Sequence, residues 1–333
     1  MEDLDVFLRN ITLCLLLAAN GALYADFLDE IDIPACPADR NLSCWYTERL
    51  CQEQNRRQEE ILGGLGIQKA DWEAKKAQQI FEHYNFCRNA VKENLSEKPL
   101  PQEIVQPACD LLKSKKVKKM LGIITIDVNP RNNEITVLKN DGKTIKLLCA
   151  NDSLEADAAT DHFHILLNPD VLLATHKNSA EIKATIAHEL IHILYEDVLD
   201  NDCLDKLLCQ AQQNRVKIPR RRFIKLRAAW ERGQETRADI LSGLIDFELA
   251  QAHEAHFLRN KPKRRKKLKT KSVHPTDWQR HAYMKQVVNA MKAQKNRPQY
   301  SYTWLFLLFA LSFFILIATK HTSANRHNKS IKD

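Results

Sequence analysis

The stretch from Ile186 to Leu194 reads Ile-Ala-His-Glu-Leu-Ile-His-Ile-Leu and decides the interpretation of the whole chain. His188 and His192 are four residues apart, so they project from one face of a helix. Burying two imidazoles and the carboxylate of Glu189 in this apolar run without partners would cost several kcal/mol. A metal ion bound by both histidines removes that cost and places Glu189 beside metal-activated water. The alternative is a chance pattern on a core helix.

The residues around this run predict a small sheet followed by the helix. The helix is expected to begin at Asn178 or Ser179, where Glu181 completes a capping box, and to end near Val198. The strand candidates before it are 123–128, 134–138, 144–148 and 162–167, with a hairpin signal at Asn140-Asp141-Gly142. Zinc peptidases use this arrangement, because an edge strand can bind an extended substrate through its backbone. The predicted fold class is therefore α+β, with a zincin-like catalytic domain made of a small sheet and active-site helices.

A catalytic zinc ion generally has three protein ligands and one open position. Residues 193–198, which follow His192, lack the glycine and histidine that a metzincin would require. A second helix is expected over about 228–258, where Glu235 and Asp239 lie one turn apart on one face. Glu235 is the preferred third ligand, and Asp239 is expected to accept a hydrogen bond from a ligand imidazole. The other candidate ligands on this helix are Glu231, Asp246 and Glu248. A solvated acidic face is the alternative for the pair.

Three segments together resemble the signatures of the HtpX-like and CAAX-prenyl-protease-like gluzincins. They are Thr-Ile-Ala-His-Glu-Leu-Ile-His over 185–192, Glu-Thr-Arg-Ala-Asp over 235–239, and Val-His-Pro over 273–275 with Arg280 downstream. The resemblance covers about 161–283, and the combination is more specific than any single segment.

The resemblance implies a role for each matching residue. The implied zinc ligands are His188, His192 and Glu235, with Glu189 as general base and Asp239 as support for a ligand. It also implies that His274 lies close to the metal, where it stabilises the transition state or caps the zinc ion in a resting form. Two departures limit the transfer: Ile191 stands where many members have glycine, and the multi-span membrane core of those families is absent.

The expected function is zinc-dependent hydrolysis of peptide bonds in protein or peptide substrates, with one Zn²⁺ per chain and a task in protein quality control among the candidates. Zinc would polarise the scissile carbonyl, and Glu189 would move a proton from water to the leaving amine. The alternative from another class is a catalytically inactive, membrane-tethered binding or chaperone module on a zincin fold.

Two uncharged apolar stretches bracket the chain. Residues 1–25 resemble a secretory signal peptide, with an uncleaved anchor or a buried helix as alternatives. Residues 300–319 are long enough for a transmembrane helix, and a basic tail follows over 320–333. The chain is therefore expected to be a single-pass membrane protein.

Between these stretches, 26–121 is expected to be a helical, cysteine-containing region and 122–297 the metallopeptidase domain. Eight cysteines follow Cys14, and their even number in a chain with a signal-like start favours disulfides. Free buried thiols are the alternative. The signal, the cysteines and the basic tail together place the catalytic domain on the extracytoplasmic side, in a periplasm or a lumen.

The net charge of +8 is concentrated in Lys261–Lys271, where eight of eleven residues are Lys or Arg. A local run does not indicate general nucleic-acid binding, and none is expected. The run is expected to be a disordered insertion or a contact with anionic lipid head groups. The histidines outside the motif that are not preferred as ligands are His162, His164, His253 and His256, of which the first two are expected to be strand residues near the site.

Overall fold

The computed structural model describes residues 36–37, 40–78, 95–96, 98–152, 154–213, 220–260 and 274–296. The elements in chain order are α1 (Leu42–Leu65), α2 (Gln102–Lys113), α3 (Lys115–Leu121), β1 (Ile123–Val128), β2 (Ile135–Lys139), β3 (Thr144–Cys149), β4 (Ala158–Thr160), β5 (His164–Leu167), α4 (Pro169–Thr175), α5 (Ser179–Leu194), α6 (Asp197–Gln213), α7 (Arg220–Ile245), α8 (Phe247–Asn260) and α9 (Asp277–Lys295). Residues 69–78 are also helical. These elements belong to the unit Met1–Met291, except for 292–296, which belong to the unit Lys292–Asp333.

The five strands form one sheet in the order β1-β2-β3-β5-β4. Strands β1, β2 and β3 pair antiparallel, β3 and β5 pair in parallel, and β4 pairs antiparallel with β5 at the edge. Gly142 has a φ of 77° in the turn between β2 and β3, a conformation that glycine adopts readily. The predicted hairpin is confirmed, and the described chain is α+β. Strand β4 was not predicted, because Ala-Ala-Thr over 158–160 carries little strand signal.

Helix α5 begins where the sequence predicted. Asn178 is its N-cap and accepts a hydrogen bond from the backbone N–H of Glu181 at 3.0 Å. The helix ends earlier than expected, at Leu194, because Glu196 adopts a φ of 57° and the chain turns there. Asp197 then begins α6.

The second predicted helix is interrupted. Helix α7 ends at Ile245, and α8 begins at Phe247 after the N-cap-like Asp246, whose carboxylate accepts from the backbone of Glu248 at 2.8 Å. Gly243 permits close packing near this break, because a Cβ there would lie 2.6 Å from the methyl carbon of Met284. After the break, α8 packs back against α7.

Helix α5 lies between two apolar cores. Its residues Ile186 and Leu190 belong to the core that contains the sheet and α2, whereas Ile191 belongs to the core formed with α1, α7 and α9. Ile191 is completely buried. The isoleucine that departs from the family pattern therefore fills space between helices, at about 1.5–3 kcal/mol of burial free energy.

Within the 26–121 region, α1 packs against the helix that carries Glu235, whereas α2 and α3 belong to the core around the sheet. Arg57 of α1 is buried and donates to the backbone carbonyl of Ala229 on α7, and Gln54 donates to the carbonyl of Trp230 at 3.4 Å. A Cβ at Gly233 would lie 2.3 Å from the Gln54 amide oxygen, so glycine permits this close approach. Helix α1 therefore helps to position α7.

The predicted transmembrane helix over 300–319 lies outside the described residues, as do 1–25, 320–333 and Lys261–Lys271. Within the described ranges, no helix is long and apolar enough to cross a membrane. The longest helices, α1 and α7, carry charged residues in most turns. This finding contradicts the prediction of a C-terminal transmembrane helix in a single-pass membrane protein, and with it the predicted extracytoplasmic location.

The disulfide prediction was also wrong for the described cysteines. None of the seven forms a disulfide: Cys36, Cys44, Cys51, Cys109, Cys149, Cys203 and Cys209. Cys44 and Cys51 lie about 10 Å apart along α1 at 1.5 Å per residue, beyond the roughly 7 Å that a disulfide can bridge. Burial raises the pKa of Cys203 to about 11, so that side chain is a thiol at neutral pH. Cys14 and Cys87 lie outside the described residues.

Candidate metal centre

Three side chains from two helices converge on one point. His188 and His192 of α5 face Glu235 of α7, and one ligand atom from each lies within 4.8 Å of the other two. The two Nε2 atoms are 3.0 Å apart. Glu235 Oε2 lies 3.4 Å from His188 Nε2, and Oε1 lies 3.6 Å from His192 Nε2. Ligands about 2.0–2.1 Å from a tetrahedral zinc ion are about 3.3 Å apart, so the spacing fits a metal site.

Asp239 supports the first histidine from behind. His188 Nδ1 lies 2.9 Å from Asp239 Oδ1, and the aspartate is completely buried. Arg280 donates to both oxygens of Asp239 at 2.8 and 2.6 Å, and the hydroxyl of Tyr283 donates to it as well. Although burial opposes ionisation, Arg280 and His188 hold the pKa of Asp239 well below its ordinary value. The anionic carboxylate therefore fixes the His188 ring with its Nε2 towards the centre.

Asp197 supports the second histidine in the same way, and the sequence did not predict it. His192 Nδ1 donates to Asp197 Oδ2 at 2.8 Å. Arg237 of α7 donates to the other oxygen of Asp197, and its guanidinium lies 4.2 Å from the centre of the Tyr195 ring. The arginine of the Glu-Thr-Arg-Ala-Asp segment thus belongs to the site.

These contacts explain why a cation is favoured at the centre. Each Nδ1 lies within 2.9 Å of an aspartate oxygen, and the two Nε2 atoms face each other across 3.0 Å beside Glu235. A proton or a metal ion must lie between them. Burial opposes the shift, but Asp239 and Glu235 raise the pKa of His188 to about 10. The two imidazoles and one carboxylate are ligands that zinc accepts.

Glu189 and His274 border this centre. Glu189 lines the same cavity, and burial raises its pKa against the opposing effect of His188 and His192. His274 Nδ1 lies 3.0 Å from Glu235 Oε2, and 59 % of the His274 side chain is exposed. The structure therefore brings every predicted site residue into one cluster.

The cavity at the centre has a volume of about 590 Å³. Its walls come from the edge strand β4 and the residues before it, from the end of α4, from α5, α6, α7 and α8, and from His274 and Arg280. His253 and His256, which the sequence did not favour as ligands, also line it. His164 instead pairs with Asp161 at 3.0 Å at the start of β5, and neither His162 nor His164 is among the lining residues of the described chain.

Comparisons with models of known protein families, with curated proteins and with solved structures find no match. The zincin-like interpretation therefore rests on the motifs and the geometry of the site.

Proposed function

We propose that this protein is a zinc-dependent peptidase. The observation that carries the proposal is the cluster of His188, His192 and Glu235 in an open cavity, with Glu189 beside it. A purely structural zinc site would have four protein ligands and would not need a buried carboxylate next to the metal. The resemblance of the three sequence segments to the HtpX-like and CAAX-prenyl-protease-like gluzincins supports the same function.

His188, His192 and Glu235 would hold the ion, and Asp239 and Asp197 would keep both imidazoles oriented. The ion would supply Lewis acidity, which polarises a carbonyl and lowers the pKa of water. Glu189 accepts a proton from the attacking water and passes it to the leaving amine. Burial raises the pKa of Glu189, which makes its carboxylate a better proton acceptor than that of an exposed glutamate.

His274 lies at the solvent side of Glu235, with much of its ring exposed. The hydrogen bond to Glu235 raises the pKa of His274, so the ring can carry a proton. We propose that it donates a hydrogen bond to the oxyanion that forms during hydrolysis. This role would make His274 a direct contact of the substrate.

The substrate is proposed to be an extended peptide. Strand β4 is one of the two edges of the sheet, and all three of its residues line the cavity. An edge strand can pair with an extended chain through backbone hydrogen bonds. A peptide added there would pass along α5 above His188 and Glu189. Protein quality control stays a prediction about the process in which such cleavage occurs.

Glu189→Gln in the full chain tests this proposal. The variant should keep its zinc content and circular dichroism spectrum but lose nearly all cleavage of casein or a peptide library, because it removes the base and leaves the ligands. Glu231→Gln is the matched control, since Glu231 lines the same cavity and pairs with Arg227 at 3.1 Å. Cleavage by Glu189→Gln within about tenfold of the wild type would contradict the assigned role. A zinc-loaded wild type without cleavage would favour an inactive binding or chaperone module.

A further inference from the structure

A second group of potential ligands lies in the same cavity. His176 caps the C-terminus of α4, Glu181 lies in the first turn of α5, and His256 lies on α8. One ligand atom from each lies within 4.8 Å of the others. The two imidazole rings have centres 4.9 Å apart. Three elements thus meet at two imidazoles and a carboxylate, the same donor set as the first centre.

His176 is oriented for a ligand on its Nδ1 atom. Its Nε2 lies 2.9 Å from Asp157 Oδ2. Burial acts to raise the pKa of Asp157, but the hydrogen bond to His176 outweighs burial and lowers this pKa. Nε2–H therefore donates to the aspartate, and Nδ1 carries the lone pair. Only 3 % of the His176 side chain is exposed, and Nδ1 has no hydrogen-bond partner among the described residues. Asp157 supports His176 as Asp239 supports His188.

His256 offers a second lone pair. Its buried Nδ1 also has no hydrogen-bond partner within the described ranges, while Nε2 lies 3.0 Å from the side-chain amide of Asn260. The Asn260 amide nitrogen faces Nε2; a flip of the amide, which puts Oδ1 in that place, lets Nε2–H donate to it and leaves the lone pair on Nδ1. Burial and the neighbouring His176 lower the pKa of His256 to about 4, so the ring is neutral and able to bind a metal at pH 7.

Glu181 is the third donor, and it is already engaged. Arg259 donates to both of its oxygens at 2.8 and 2.5 Å, and the backbone N–H of Lys177 donates at 3.0 Å. The Asn178 amide is 3.5 Å away, beyond good hydrogen-bond length. A carboxylate has about four lone-pair directions, so one is left for a cation. Competition with Arg259 makes this the weaker of the two sites.

We propose that His176 Nδ1, His256 Nδ1 and Glu181 bind a second divalent transition-metal ion of the zinc class. Glu181 precedes His188 by seven residues on α5, about 10 Å at 1.5 Å per residue, whereas bridged metal pairs are about 3.5–4 Å apart. The second ion is therefore independent of the first centre. It joins the end of α4, the start of α5 and α8 at the wall of the cavity.

Zinc titration of the metal-free full chain by calorimetry tests the proposal. The wild type should bind two ions with different affinities. His256→Asn should lose the weaker ion and keep the tighter one, and His188→Gln should do the reverse. Asp157→Asn keeps all three donors and should weaken the second site about 10–100-fold by removing the charge behind His176. His164→Gln is the matched control, because His164 is outside both groups, and it should bind two ions.

The outcomes are separable from those of the proposed function, because binding is measured without substrate. A wild type that binds one ion, lost only in His188→Gln, would overturn the second site and leave the peptidase proposal intact. Two ions in a His256→Asn variant with a native circular dichroism spectrum would overturn it as well. Loss of the weaker ion in both His256→Asn and Asp157→Asn, but not in His164→Gln, would establish the site.

Discussion

Asp197 holds His192 from behind, and its replacement by asparagine should weaken zinc binding while leaving all three ligands in place. The carboxylate accepts from His192 Nδ1 at 2.8 Å and pairs with Arg237. Asparagine has the same shape, but its oxygen carries no charge and its amide can present a donor to the imidazole. The ring would then lose the anion that fixes its Nδ1–H tautomer and raises its basicity.

The expected loss of zinc affinity in Asp197→Asn follows from the type of contact that the substitution removes. Removing such a partner typically lowers metal affinity about 10–100-fold, which corresponds to about 1.4–2.7 kcal/mol. Arg237 is 5 % exposed, so the substitution also leaves a buried guanidinium short of a counter-charge. Removing one member of a buried ion pair costs about 3–5 kcal/mol, and asparagine should lie at the low end because it still accepts one hydrogen bond.

Competition with a chromophoric chelator measures the zinc affinity, and urea unfolding measures the stability. Asp200→Asn is the matched control, because Asp200 lies one turn further along α6 and pairs with Lys76 at 2.7 Å rather than with a histidine. It should leave the zinc affinity unchanged. Equal zinc affinities for Asp197→Asn and Asp200→Asn would refute the supporting role of Asp197.

Two further predictions concern the third metal ligand and the pH dependence of the free energy of unfolding. Glu235→Ala should weaken zinc binding, measured by equilibrium dialysis, far more than Glu231→Ala or Glu248→Ala; an unchanged affinity would move the third ligand elsewhere. Burial lowers the pKa of His253 from 6.5 to about 3. Between these two pH values the unfolded chain therefore binds one more proton than the folded chain. The free energy of unfolding should fall with falling pH by up to about 1.4 kcal/mol per pH unit. His253→Leu should flatten this slope in urea unfolding at about pH 7 and about pH 5, and an unchanged slope would show that other groups cause it.

The sequence was sufficient to predict the helix that carries the two histidines, because the residues that indicate this helix are close together in the chain. The N-cap Asn178 and the four-residue spacing of His188 and His192 depend only on residues within one or two turns. Glu235 and Asp239 followed from the same spacing on a second helix. That the two helices face each other is a tertiary fact, and only the order of the motifs pointed to it.

Asp197 was missed for a specific geometric reason. In a continuous helix of 3.6 residues per turn, a residue five positions after His192 points about 140° away from it. The helix instead ends at Leu194, and the positive φ of Glu196 turns the chain so that Asp197 faces back towards His192. Glutamate rarely adopts this conformation, so nothing local predicted the turn.

The membrane and disulfide expectations came from composition. An apolar stretch and an even cysteine count are features of the composition, and neither depends on which residues meet in space. Cys109, Cys149 and Cys203 are buried within apolar cores as thiols. Small apolar residues serve such positions without any bond, which is why counting cysteines gave the wrong answer.

The centre contains two parallel chains of contacts, His188–Asp239–Arg280 and His192–Asp197–Arg237. Each arginine neutralises its aspartate, so the aspartates orient the imidazoles without adding net charge. The charge available to balance a divalent ion is then that of Glu235 alone among the ligands, which leaves the centre positive and suited to an oxyanion. Since Arg280 comes from α9, the helix after the His-Pro segment, the packing of α9 is a condition for ligand geometry.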